Sequence, residues 1–91
     1  MRIRWSDDAF SDLDRIFDFI ATNNPAAAER TVKMLLSAPN VLAANPQIGP
    51  RIENLETADV RRLVVGAYEV RYRLTGQTVE ILRIFHTKED R

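Results

Sequence analysis

The hydrophobic period of this chain changes once, and that change limits the folds open to it. From Ala9 to Leu42, apolar residues recur at three- and four-residue spacing, the period of helices packed on one side. From Leu63 to Phe85 the pattern is strand-like, and between Tyr68 and Leu74 it alternates cleanly. Tyr68, Val70, Tyr72 and Leu74 share one face there, and Glu69, Arg71 and Arg73 share the other. Helices followed by strands within 91 residues predict one domain, 1–91, with a helical layer on one face of a sheet.

Local signals fill in the elements. Ile3 and Trp5 alternate with Arg2 and Arg4, which suits a short first strand. Ser6 is a candidate N-cap, and Asp7 and Asp8 follow where the helix dipole favours negative charge. Ala9, Phe10, Leu13, Ile16, Phe17 and Ile20 form the apolar face of the first helix. Its other face carries Asp8, Asp12, Asp14, Arg15 and Asp18 and reads as solvated surface. Asn24 and Pro25 supply the cap and first position of a second helix, which must lie antiparallel to the first across so short a link. Pro39 sits within the helical pattern, lacks an N–H and crowds the carbonyl of Leu35, so a kink or break is expected there.

Residues 51–60 read as a loop, and the Leu63-Val64-Val65 run as a strand. Gly66-Ala67 and Thr75-Gly76-Gln77 read as turns. Val79 to Phe85 is apolar on both parities apart from Glu80 and Arg83, as expected of a central strand. The predicted class is α+β in the order β-α-α-β-β-β: a short N-terminal strand, then an antiparallel helical hairpin packed on a small antiparallel sheet.

Composition narrows the chemistry. With no cysteine there are no disulfides, thiol nucleophiles or thiolate metal sites, and a lone histidine argues against zinc. No metal and no cofactor are expected. The N-terminus turns polar at Ser6, and no apolar run reaches the length of a signal peptide or membrane span, so a cytoplasmic protein without membrane contact is expected. Formal net charge is zero, which argues against holding nucleic acid by bulk electrostatics. The charge is unevenly spread, however. Residues 1–60 carry six Lys/Arg against nine Asp/Glu, and residues 61–91 carry seven against four.

Four ordered pieces carry a resemblance. They are Ala9-x-x-Asp12-Leu13-x-x-Ile16-x-x-Phe19-Ile20 with Asn24-Pro25-x-Ala27-Ala28; Leu42-x-x-x-Pro46-x-x-Gly49; Arg61-Arg62-Leu63-Val64-Val65-Gly66-x-Tyr68-x-Val70-x-Tyr72-Arg73; and Val79-x-Ile81-Leu82-Arg83-x-x-His86. In that order the chain resembles the RelE/ParE superfamily of type II toxin–antitoxin toxins, and ParE more closely. The resemblance implies a helical hairpin on an antiparallel sheet and a cognate antitoxin whose C-terminal segment wraps and blocks the toxin. It also implies a hetero-oligomer with that antitoxin, operator DNA bound only through the antitoxin, and the plasmid stabilization that such pairs provide. ParE members poison DNA gyrase, whereas RelE members cut mRNA in the ribosomal A site.

RNA cleavage at a 2′-hydroxyl needs a base, an acid and cations around one phosphate. The RelE pattern places an arginine directly after the tyrosine at position 68, where this chain has Glu69, and a terminal tyrosine is missing after His86-Thr87-Lys88-Glu89-Asp90-Arg91. A carboxylate beside the scissile phosphate would repel it. The ParE-like ending His-x-Arg-x-Asp is matched at His86 and Asp90, with Lys88 in place of the arginine. The expected function is therefore gyrase inhibition by binding, without chemistry. The alternative is a ribosome-dependent mRNA endonuclease using His86, Lys88, Arg62 and Arg83. The plainer role for His86 is to close the last strand, hydrogen-bonded to backbone or to Asp90.

Arg61, Arg62, Arg71, Arg73 and Arg83 are the expected partner-binding residues, a cationic surface for an acidic partner. Arg83 leads the set, because an arginine within an apolar strand needs a partner or a groove. The excess of cations in residues 61–91 predicts an antitoxin tail that is acidic and amphipathic.

Overall fold

The computed structural model describes residues 1–52 and 58–89. The elements run β1 (Arg2–Trp5), α1 (Asp7–Ala21), α2 (Pro25–Ser37), α3 (Asn40–Ala44), β2 (Asp59–Val65), β3 (Tyr68–Thr75) and β4 (Thr78–His86). This is the expected α+β order, with the second helical stretch broken where Pro39 predicted a break.

Local chemistry sets the helix ends. The Ser6 side chain accepts the Ala9 N–H at 3.0 Å, and Asn24 Oδ1 accepts that of Ala27 at 3.1 Å, with Pro25 opening α2. α2 stops at Ser37, and the buried Pro39 starts the short α3. Gly66 (φ 58°) and Gly76 (φ 56°) begin two-residue turns between Val65 and Tyr68 and between Thr75 and Thr78. Glycine at the first turn position matches the right-handed twist of paired strands.

The sheet order is β1-β4-β3-β2. β2, β3 and β4 form the antiparallel meander, and β1 adds to β4 in parallel. β4 is thus internal, as its apolar run suggested. Between the pairs Arg71↔Arg83 and Tyr72↔Ile81 the register shifts, leaving Leu82 as one extra residue on β4. Before this bulge Val79 and Ile81 face the core, and after it Ile84 does, so the inward parity changes within one strand. That is why β4 is apolar on both parities.

The hairpin covers one face of the sheet. Ala9, Leu13 and Ile16 of α1, Leu35 of α2 and Leu42 of α3 pack against Val70, Tyr72, Val79, Ile81 and Ile84. Burying a side chain of this kind contributes about 1.5–3 kcal/mol. The Tyr72 hydroxyl accepts the Gly49 N–H at 3.0 Å and donates to the Pro46 carbonyl at 2.9 Å, which ties the Pro46–Gly49 segment to the core. A Cβ on Gly49 would lie 2.3 Å from the Arg62 carbonyl oxygen, so only glycine fits this approach.

The expected 51–60 loop is shorter than read. Ile52 donates to the Val60 carbonyl, Arg51 bridges Arg61, and β2 already starts at Asp59. Pairing with β3 overrides the low β-propensity of Asp59. Residues 53–57 and Asp90 lie outside the described residues. No helix among the described residues is long and apolar enough to cross a membrane.

Candidate functional site

The face of the sheet turned away from the helices is where the cations collect. Strand alternation sets Arg2 and Arg4 opposite the core-packed Ile3 and Trp5. It sets Arg62 opposite Leu63, and Arg71 and Arg73 opposite Val70 and Tyr72. The bulge turns Arg83 to the same side. Among the described residues six arginines therefore share this outer face with two carboxylates, Glu69 and Glu80.

Register makes the arrangement sharper. Arg62 of β2 pairs with Arg71 of β3, and Arg71 pairs with Arg83 of β4, so three arginines form one rung across three strands. The next rung holds Val64, Glu69 and Phe85. The Arg71 and Arg83 guanidinium carbons lie 5.1 and 5.0 Å from the centroid of the Phe85 ring, within cation–π range. Glu69, only 3% exposed, accepts from Arg71 Nε at 2.8 Å. Arg73 is paired with Glu80. Arg62 is exposed and makes no ion pair among the described residues.

Arg83 has a partner that the sequence did not disclose. Asp12 of α1 is 3% exposed and takes Arg83 Nε and Nη2 at 2.9 and 3.0 Å. It also accepts the Ile84 N–H at 2.8 Å. Burial pushes the Asp12 pKa up, but the bonds from Arg83 and the Ile84 amide outweigh burial and hold it below the usual carboxylate range. The same pairing raises the pKa of Arg83. The reading of Asp12 as solvated surface is thus corrected, because it sits where β1 runs out.

β1 pairs with β4 only as far as Trp5↔Ile81. Beyond that, Ser6 Oγ donates to the Leu82 carbonyl, Asp12 accepts from the Ile84 amide, and Arg15 donates to the Ile84 carbonyl at 3.3 Å. Side chains of α1 continue the edge pairing that the short strand leaves unfinished.

The remaining predicted residues lie elsewhere. Arg61 points to the helix side, where it donates to Asp59 and to the carbonyls of Gln47 and Gly49, clamping the loop. It does not join the outer-face arginines. His86 and Lys88 line a pocket of about 580 Å³ on the helix side, with Ile16, Phe19 and Ile20 of α1 and Tyr68 of β3. His86 Nδ1 accepts the Lys88 backbone N–H at 3.1 Å, and its ring stands edge-on to Tyr68. Burial raises the Tyr68 pKa. Glu89 bonds Arg15 at 2.8 Å on the rim, and Phe19, 82% exposed, forms an apolar wall.

The four residues of the cleavage alternative are therefore divided. His86 and Lys88 flank the helix-side pocket, whereas Arg62 and Arg83 stand on the outer face. A chain of charge runs round the β4 edge between the two sides, from Arg83 through Asp12 and Arg15 to Glu89. Among the described residues no group of three or more His, Cys, Asp or Glu could hold a metal ion. Arg2 and Arg4 were missing from the predicted set. Their alternation with Ile3 and Trp5 was the available signal, but it named a face only once β1 was placed beside β4.

Comparison with known proteins agrees with this architecture. A family model described as the ParE toxin of the type II toxin–antitoxin system parDE matches residues 3–91. Toxin RelE2 of Caulobacter vibrioides is 37% identical over 86 residues, covering 93% of each chain. A chain of the chromosomal ParDE toxin–antitoxin system from P. aeruginosa superposes with a TM-score of 0.81 at 27% identity, over 94% of this chain and 95% of that one. With its hairpin, meander and arginine-bearing sheet, the chain belongs to the ParE toxin family of type II toxin–antitoxin systems.

Proposed function

We propose that this toxin inhibits DNA gyrase by binding, with the outer-face arginines as its contact surface, and that it acts in the cytoplasm until its cognate antitoxin neutralises it. The observation that carries this reading is the division of the predicted residues. Cleavage needs proton-transfer groups and cations around one phosphate. His86 and Lys88 flank one side of the sheet, and the arginine rung stands on the other. Glu69 also supports it, since the buried carboxylate is consumed in orienting Arg71, which suits a fixed binding surface better than a reacting phosphate.

The antitoxin has its own places to bind. The pocket beside Phe19 would take apolar anchors of an amphipathic segment, with Lys88 at its rim to meet a carboxylate. Other carboxylates of the same tail would screen the outer arginines. Gyrase, plasmid and toxin test the target directly: lost supercoiling or trapped cleavage complexes are expected. Intact gyrase activity together with mRNA cuts on translating ribosomes would reverse the reading.

A further inference from the structure

We propose that the outer face of the sheet seats the sugar–phosphate backbone of duplex DNA, without reading its sequence. This rests on the reading of that face as the toxin's working surface, and it leaves operator recognition with the antitoxin. The zero net charge of the chain hides the feature that makes it possible. Arginines outnumber carboxylates on one face of the sheet, while on the helices the exposed acids Asp7, Asp8, Asp14, Asp18 and Glu29 outnumber the exposed cations Arg15, Arg30 and Lys33.

Every cation on that face is an arginine, whose fork of donors matches phosphate oxygens in pairs. Arg62, Arg71 and Arg83 stand side by side at strand spacing, so the rung spans about 10 Å. Like charges directly opposite each other on a sheet are destabilising. The fold nevertheless holds two of the three in place with buried carboxylates, Glu69 and Asp12. Those carboxylates offset Arg71 and Arg83, so the uncompensated charge of the face rests on Arg2, Arg4 and Arg62, exposed and without an ion pair among the described residues, and a ligand with repeated negative charge would meet all three.

Two features select duplex DNA among such ligands. Among the described residues its apolar side chains offer little to the anchors of a peptide: the Phe85 ring has two guanidiniums within about 5 Å of its centroid, and Val64 stands exposed on β2. Among the described residues it also shows no aromatic ring other than Phe85, which the guanidiniums already engage. Proteins that hold single strands stack bases on aromatic side chains, whereas a duplex keeps its bases inside and offers phosphates.

The test is fluorescence anisotropy of the full-length toxin with labelled duplexes of about 20 bp in two unrelated sequences, beside single-stranded DNA and RNA of the same length, over a salt series. Both duplexes should bind equally and more tightly than the single strands, with log K falling against log salt at a slope of about −3. Arg62→Gln and Arg4→Gln should each flatten that slope by about 1, and Lys33→Gln on the helix side should leave it unchanged. Absence of duplex binding at about 50 mM salt, a preference for single-stranded DNA or RNA, or a slope that neither arginine variant alters would overturn the proposal. Gyrase inhibition is scored separately. Duplex binding without inhibition removes the gyrase target and leaves this seat in place, and inhibition without duplex binding removes only the seat.

Discussion

The two faces of the sheet come from the same four strands, and they answer to different physics. On the inner face Val70, Tyr72, Val79, Ile81 and Ile84 are closed off by the helices, and their packing carries stability. On the outer face like charges stand next to one another, an arrangement that packing does not reward and that two buried carboxylates keep in order. A region that breaks a local rule of stability without gain to the fold is where function is to be sought. The boundary between the two regimes is the β4 edge, where Asp12 serves both. It satisfies a backbone amide of the core strand, and it holds an arginine of the outer face.

Substitutions should separate the faces by size of effect. Ile84→Ala and Leu35→Ala, both in the core, should each cost about 2–5 kcal/mol in denaturant unfolding. A loss below about 1 kcal/mol for both would mean that the helices do not close the inner face as described. Asp12→Ala should follow at about 1–3 kcal/mol, because it strands the Ile84 amide as well as freeing Arg83. Its pH dependence gives an independent check. The folded pKa of Asp12 is lowered, so its contribution is present above the unfolded carboxylate value of about 3.9 and is lost as pH falls through the folded value. Melting temperatures of the wild type should therefore drop below about pH 4, and those of Asp12→Asn should drop less steeply.

Tyr72→Phe removes the hydroxyl that bridges Gly49 and Pro46 and should cost about 1 kcal/mol. The smallest change in stability is expected from Arg62→Gln, within about 0.5 kcal/mol, as for an exposed side chain without an ion pair among the described residues. The same variant should weaken toxicity in cells. Full toxicity would dissociate the rung from function.

Much of this was legible in the chain because the signals were local. Ser6, Asn24, Pro25, Pro39, Gly66 and Gly76 each act on their own neighbours, and the elements begin, end and turn where they stand. The Tyr68–Leu74 alternation named the two faces of β3 before any pairing was known. What stayed hidden depended on pairing between distant strands. The parallel docking of β1 on β4 moved Arg2 and Arg4 into the arginine face. The bulge at Leu82 decided which way Arg83 points, and no residue there announces it. Asp12 has the spacing of a polar helix face, and only the free edge of β4 explains its burial. Arg61 and Arg62 are neighbours in sequence and so were grouped together, although adjacent strand residues face opposite ways.

The most direct measurement is gyrase supercoiling titrated with wild-type, His86→Ala and Arg62→Glu toxin. Inhibition by His86→Ala at wild-type potency, with a clear loss for Arg62→Glu, is expected if the charged face disables its target by occupying it. Inhibition that vanishes with His86 and is indifferent to Arg62 would contradict that view.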